Sequence, residues 1–137
     1  MAGLTVDLNI LLQEHALWVS SAGAQGNKLA LDNLDFRGYD LTGANLVDAE
    51  LPGACFAGMA LTGVDFHGAF LGGADFSDAK LRNVTLSKAH LDCATFANAM
   101  IDGGTWFRSS CFDANLKGAR FTGTDLEHVS PSIDELL

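Results

Sequence analysis

Proline, tyrosine, cysteine and lysine are all scarce in this chain of 137 residues. There are 2 Pro, 1 Tyr and 3 Cys, and no Lys or Arg before position 28. Each shortage excludes something. An odd number of cysteines at irregular spacing (55, 93, 111) forms neither a disulfide framework nor a zinc cluster, and a reducing compartment, the cytoplasm, is expected. Without early cations there is no basic lead for a signal peptide. Asp7 and Glu14 break up the first apolar stretch, so no membrane-spanning helix is expected either. Lys and Arg total 8 against 17 Asp and Glu, a net charge of -9; direct binding of nucleic acid, which rests on phosphate contacts, is not expected. At 48% hydrophobic and 18% charged the composition is not that of a disordered chain, and its size suits one domain.

What is abundant is periodic. From Leu31 a large apolar residue recurs every fifth position, through Phe36, Leu41, Leu46 and Leu51 to Leu126, and 17 of these 20 positions are Leu or Phe. Composition alone would put about four there. Two residues earlier stands a small residue, as in Ala49, Ala69, Ala74 and Ala94; two residues later stands Gly, Asn or Asp in 16 of 20 units. A period of five fits neither helix nor simple strand. Each unit therefore places one large and one small side chain inward, then turns at a residue that tolerates left-handed backbone. Phe36, Phe56, Phe76 and Phe96 also recur every 20 residues. Four units per coil then stack like side chains in register, five coils forming a square rod about 24 Å tall at strand spacing.

The run A-N-L-V-D, A-E-L-P-G, A-D-F-S-D, A-K-L-R-N, A-H-L-D-C resembles the pentapeptide-repeat proteins, over residues 28–130 without a break. The resemblance implies an all-β solenoid, a right-handed quadrilateral β-helix. It leaves function open, because a fold does not dictate a role.

Departures from the repeat carry further expectations. Leu29, Leu34 and Tyr39 replace the usual Ala in the first units, which implies something lying across that end. Leu8, Leu11, Leu12, Ala16 and Val19 follow helical spacing, with Asp7 as N-cap and Gly23 and Gly26 as stops, so residues 7–20 are predicted to be a capping helix. The expected organisation is thus a cap over 1–27, the β-helix over 28–130 and a short tail over 131–137. Pro131 ends the repeat, and Ser132-Ile133-Asp134-Glu135 fits a capping box for a last short helix. Gly104, Ser109 and Cys111 surround the oversized Trp106, which reads as volume compensation.

No phosphate loop, nucleophile elbow or zinc-protease motif is present, so no enzyme activity and no cofactor are expected. His15 reads as a helix residue beside the cap interface. His67, His90 and His128 fall on different coils or faces, too scattered for a metal site. Cys111 is expected inside; Cys55 and Cys93 are expected outside on different faces.

The surface of the Leu31, Leu51, Leu71, Leu91, Cys111 column stands out. Its outward residues are Asp32, Glu50, Asp92 and Asp113 with Pro52, Phe70, His90 and Phe112, and no Lys or Arg falls within its units. Two exposed Phe rimmed by acids form a candidate protein-binding face. The opposite face carries Lys80, Arg82 and Arg120 against Asp40 and Asp102.

Two functions are weighed. The first is a non-catalytic scaffold or interaction module with an unidentified protein partner; the lead-in L-L-Q-E-H-A-L-W is similar to that of bacterial relatives associated with phages or secretion systems. The second is an acidic DNA mimic that binds DNA gyrase or another DNA-binding protein, as the family's quinolone-resistance branch implies. Five coils span only about seven base pairs, and that branch's loop insertions and long C-terminal segment have no counterpart here, so the module is ranked first and no gyrase inhibition is expected. The chain is expected to be a monomer, or a weak homodimer through a coil end or the Phe70/Phe112 face.

Overall fold

The computed structural model describes residues 7–137; the first six residues of the expected cap unit lie outside it. Its backbone repeats with the period of 20. Helix α1 (Leu8–Ser20) is followed by stacked coils in which β1 (Ala60–Thr62), β2 (Lys80–Arg82), β3 (Met100–Asp102) and β4 (Arg120–Thr122) form a parallel sheet, and α2 (Ile133–Leu136) ends the chain. Ala60 faces Lys80, Lys80 faces Met100, and Met100 faces Arg120. The other three sides of the square are ladders of single parallel bridges with the same offset, such as Glu50 to Phe70 to His90 to Ser110. Phe70 N–H donates to Ala49 O at 2.8 Å, while Leu51 N–H donates to Phe70 O at 2.7 Å. Each coil thereby satisfies its neighbour's backbone. The architecture is the quadrilateral β-helix.

We number the faces by their inward columns: the first contains Leu51, Leu71, Leu91 and Cys111, the second Phe36 to Phe96, the third Leu41 to Phe121, and the fourth Leu46, Phe66, Leu86 and Trp106. The Phe column is fully buried. Its rings stack nearly parallel at 4.9 Å (Phe36–Phe56), 4.7 Å (Phe56–Phe76) and 4.7 Å (Phe76–Phe96), so ring separation matches the coil rise. Before each inward residue the chain alternates in and out, after it two residues face outward, and all twenty turn positions have positive φ, from Asn33 at 56° to His128 at 59°.

Leu31 departs from the expected column. It is 40% exposed where Leu51 is fully buried, because no coil lies beneath it and α1 covers Leu29 instead. Leu29 is buried, and Leu34 and Tyr39 pack against the core with Leu11 and Leu12. The cap begins as expected, Asp7 Oδ1 accepting from Asn9 N–H at 3.0 Å. Gly26 (φ 74°) lets the chain turn back along the helix, since a Cβ there would meet the Glu14 carbonyl and Trp18 N–H. At the far end the capping box is not formed. Ser132 occupies the N-cap, but its side chain makes no capping hydrogen bond.

Trp106 is fully buried, 4.7 Å from Phe96 and edge-on to Phe121 at 5.3 Å. Ser109 and Cys111 beside it are buried, and burial pushes the Cys111 thiol up to about 11. Gly104 does more than yield volume. Its φ is 72°, and a Cβ would collide with the Val84 carbonyl, so the turn before Trp106 needs glycine for its backbone path.

A candidate protein-binding face

The first face gathers the residues singled out from the sequence. Backbone bridges hold Glu50, Phe70 and His90 in one outward line, while Asp32, Pro52, Asp92 and Phe112 stand on the far side of the inward column, with Asp113 at the turn beyond. Phe70 is 45% and Phe112 54% exposed. Phe70 is not free-standing. Its ring lies across Gly72, where a Cβ would come within 3.3 Å, and meets the His90 ring at 5.6 Å. It also divides two shallow hollows. One, of about 320 Å³, is lined by Ala30, Asp32, Glu50, Pro52 and Phe70. The other, of about 270 Å³, runs from Phe70 past His90, Glu50 and Asp48 to Lys28 and Trp18.

The charge of this face differs from expectation in one respect. Lys28, just ahead of the first coil, reaches back to Glu50 at 2.9 Å, so one cation does touch the face. Asp92 is also committed: its Oδ1 accepts from the Ser110 hydroxyl at 2.5 Å and from Phe112 N–H at 2.9 Å, which ties the Phe112 backbone down. Among the described residues Asp32 and Asp113 make no ion pair. The third face is the β1–β4 sheet, with Lys80, Arg82 and Arg120 exposed among Asp40, Met100 and Asp102.

Cys55 is half-buried, Cys93 exposed and Cys111 buried. Among the described residues no group of three or more His, Cys, Asp or Glu could hold a metal ion, and no helix is long and apolar enough to cross a membrane.

Sequence reasoning undervalued His15. It is fully buried; its Nδ1 accepts from Leu29 N–H at 2.9 Å, so Nε2 carries the proton and donates to Val47 O at 2.8 Å. One imidazole thus joins the cap helix to two successive stretches of the rod. The expected place beside the cap interface is correct, but the two hydrogen bonds were not foreseen; the useful signal was a polar residue on the apolar side of the helix.

Family profiles for pentapeptide repeats match residues 31–68 and 109–130 with eight copies, and residues 69–110 with nine. The chain belongs to the pentapeptide-repeat family. Solved structures of similar fold include QnrB1, a plasmid-mediated fluoroquinolone resistance protein (22% identity, TM-score 0.62, 74% of this chain and 58% of that one). HetL, involved in heterocyst differentiation regulation in Nostoc sp. strain PCC 7120, matches at 22% identity and TM-score 0.57, over 75% of this chain and 53% of its own. A thylakoid-lumen pentapeptide-repeat protein of Arabidopsis thaliana is 30% identical, with TM-score 0.53, over 78% of this chain and 71% of its own. The chain thus spans little more than half the length of HetL and QnrB1. No curated protein sequence matches it.

Proposed function

We propose that this pentapeptide-repeat protein is a non-catalytic acidic rod that binds a protein, and that its partner is one built to hold DNA. Of the two functions weighed from the sequence, the likeness to a fluoroquinolone resistance protein moves the DNA mimic ahead of the generic module. One observation carries the reading. Carboxylates are mounted on a rigid ladder with a net charge of -9, and on the first face Asp32 and Asp113, which make no ion pair among the described residues, stand beside exposed Phe70 and Phe112. Fixed carboxylates can meet cations placed to receive phosphates, while the rings supply the apolar contact that gives an interface its affinity. A rod of about 24 Å covers a short contact of about seven base pairs. Self-association through this face would set acid against acid, which disfavours a homodimer there. The cytoplasm stays the proposed compartment.

The test is a DNA gyrase supercoiling assay with the full chain titrated to micromolar concentration. Inhibition is expected, to be weakened at least tenfold by Asp32→Lys with Asp113→Lys. No inhibition at any concentration, with DNA unable to compete for a captured partner, would remove the mimic and leave the module. For that second reading the exposed rings matter most. Phe70→Ala with Phe112→Ala should cost a partner on the order of 2 kcal/mol in affinity. Because both rings are about half covered, the double change should cost the fold only about 1 kcal/mol. Unfolding by the double variant in a thermal melt would mean that the rings act as core.

A further inference from the structure

The turn positions carry a pattern that neither core nor first face explains. All twenty have positive φ, and sixteen hold Gly, Asn or Asp, which tolerate it. The four exceptions are Lys88 (φ 57°), Cys93 (62°), Arg108 (60°) and His128 (59°). Three of the four fall in a single column, one coil apart, and those three are the basic ones. This backbone region favours Gly, Asn, Asp and His but not Lys or Arg, so the turn itself gives no reason for Lys88 and Arg108.

The column forms the edge between the fourth and first faces. Lys88 N–H donates to Phe107 O at 2.8 Å and Arg108 N–H to Glu127 O at 3.1 Å, which fixes the three residues one above another over about 10 Å. The Arg108 guanidinium lies 5.2 Å from the centre of the Phe107 ring, and His128 meets the same ring edge-on at 5.6 Å. One aromatic ring thus orients two of the three rungs. All three are exposed, and none is in an ion pair among the described residues. The acids nearest in the chain are Glu127, beside His128, and Asp125; across the corner Asp92 is engaged by Ser110. Lys88 and Arg108 on adjacent coils repel one another unless an anion lies between them. The strip is short and flanked by acids, so it admits a compact anion and repels a long one.

We propose that the Lys88–Arg108–His128 edge binds a phosphoryl group, free or carried on a partner's side chain. Arg108 offers a planar fork to two oxygens, Lys88 a point charge, and His128 a ring N–H. Titration calorimetry at low ionic strength would use inorganic pyrophosphate, a phosphoserine peptide and the same peptide without phosphate. Saturable binding of pyrophosphate at least as tight as the phosphopeptide assigns a free anion; tighter binding of the phosphopeptide assigns a modified side chain. Lys88→Asn and Arg108→Asn should each weaken binding about tenfold without lowering Tm, because Asn suits the left-handed backbone. In the wild-type chain pyrophosphate should shift the amide resonances of Lys88 and Arg108 and leave those of the Asp40 side in place. Absence of saturable binding to either phosphorylated probe, equal binding of the unphosphorylated peptide, or binding untouched by both substitutions would overturn the proposal.

Discussion

Phe76→Ala should destabilise the rod by about 3–5 kcal/mol, near the top of the range for a single core truncation. Phe76 is fully buried, sandwiched between Phe56 and Phe96 at 4.7 Å on each side, with Phe66 edge-on at 6.1 Å. The cavity left behind has little means to collapse. Asp75 is bridged to Cys55 on one side and Thr95 on the other, and those hydrogen bonds hold the coil spacing whatever fills the interior. Phe121 offers the contrast. It lies in the last coil, half-buried beside a hollow that it shares with Ile133 of α2, and Phe121→Ala should cost about half as much or less. Urea unfolding of the two variants checks the difference. A cost for Phe76→Ala within 1 kcal/mol would mean that the ring column is not a continuous core.

The second large effect concerns His15 and has a sign in pH. Removing the imidazole in His15→Ala strands the Leu29 N–H and the Val47 carbonyl beneath the helix. At about 1–3 kcal/mol for each group left without a partner, the expected loss at pH 7.5 is about 2–6 kcal/mol. Burial holds the His15 imidazole below its usual range, with Lys28 adding to this and the Val47 carbonyl and Asp48 opposing it. A folded value below the unfolded one, about 6.5, means that the unfolded chain binds the proton first. The stability is therefore complete above that pH and declines as pH falls through it toward the folded value. Protonation also puts a hydrogen on Nδ1, where Leu29 N–H already points. Wild-type Tm should fall between pH 7 and pH 5, and the His15→Ala protein should start lower and change less. Parallel pH profiles for the two proteins would rule out His15 as the source.

The interior of the rod was legible because its rule is short. One large and one small inward residue per five, with a turn residue between, specify the coil, and like residues every 20 specify the stacking. Phe36 to Phe96 obeyed both rules and lie where those rules place them. The rule fails where a neighbour is missing. Leu31 has the right spacing but no coil below, so its side chain faces solvent. Gly104 looked like a matter of volume, whereas a second consecutive left-handed residue after Gly103 leaves no trace in a five-residue pattern. Lys28 illustrates the limit for surfaces. It stands at the very start of the repeat, before the first inward position, yet its flexible stem carries the charge to Glu50. The first face could be drawn up from spacing alone; which of its acids are already engaged depended on rotamers. His15 lay in a helix whose apolar spacing was plain, but its two partners come from separate coils.

The coil-to-coil offset of 20 residues, seen in every bridge from Ala30–Glu50 to Ser110–Ser130, makes the surface a clock with four quarters. Inserting or deleting one five-residue unit leaves the inward consensus intact and turns everything downstream by a quarter revolution. Phe112 would then leave the quarter it shares with Phe70, and Arg108 would part from Lys88, although the chain still stacks. Losing four units restores the phase and only shortens the rod by one step. Length and surface identity are thus separately adjustable in this architecture. A change of one unit can scramble every face downstream of it, and a loss four times larger can leave each face in place.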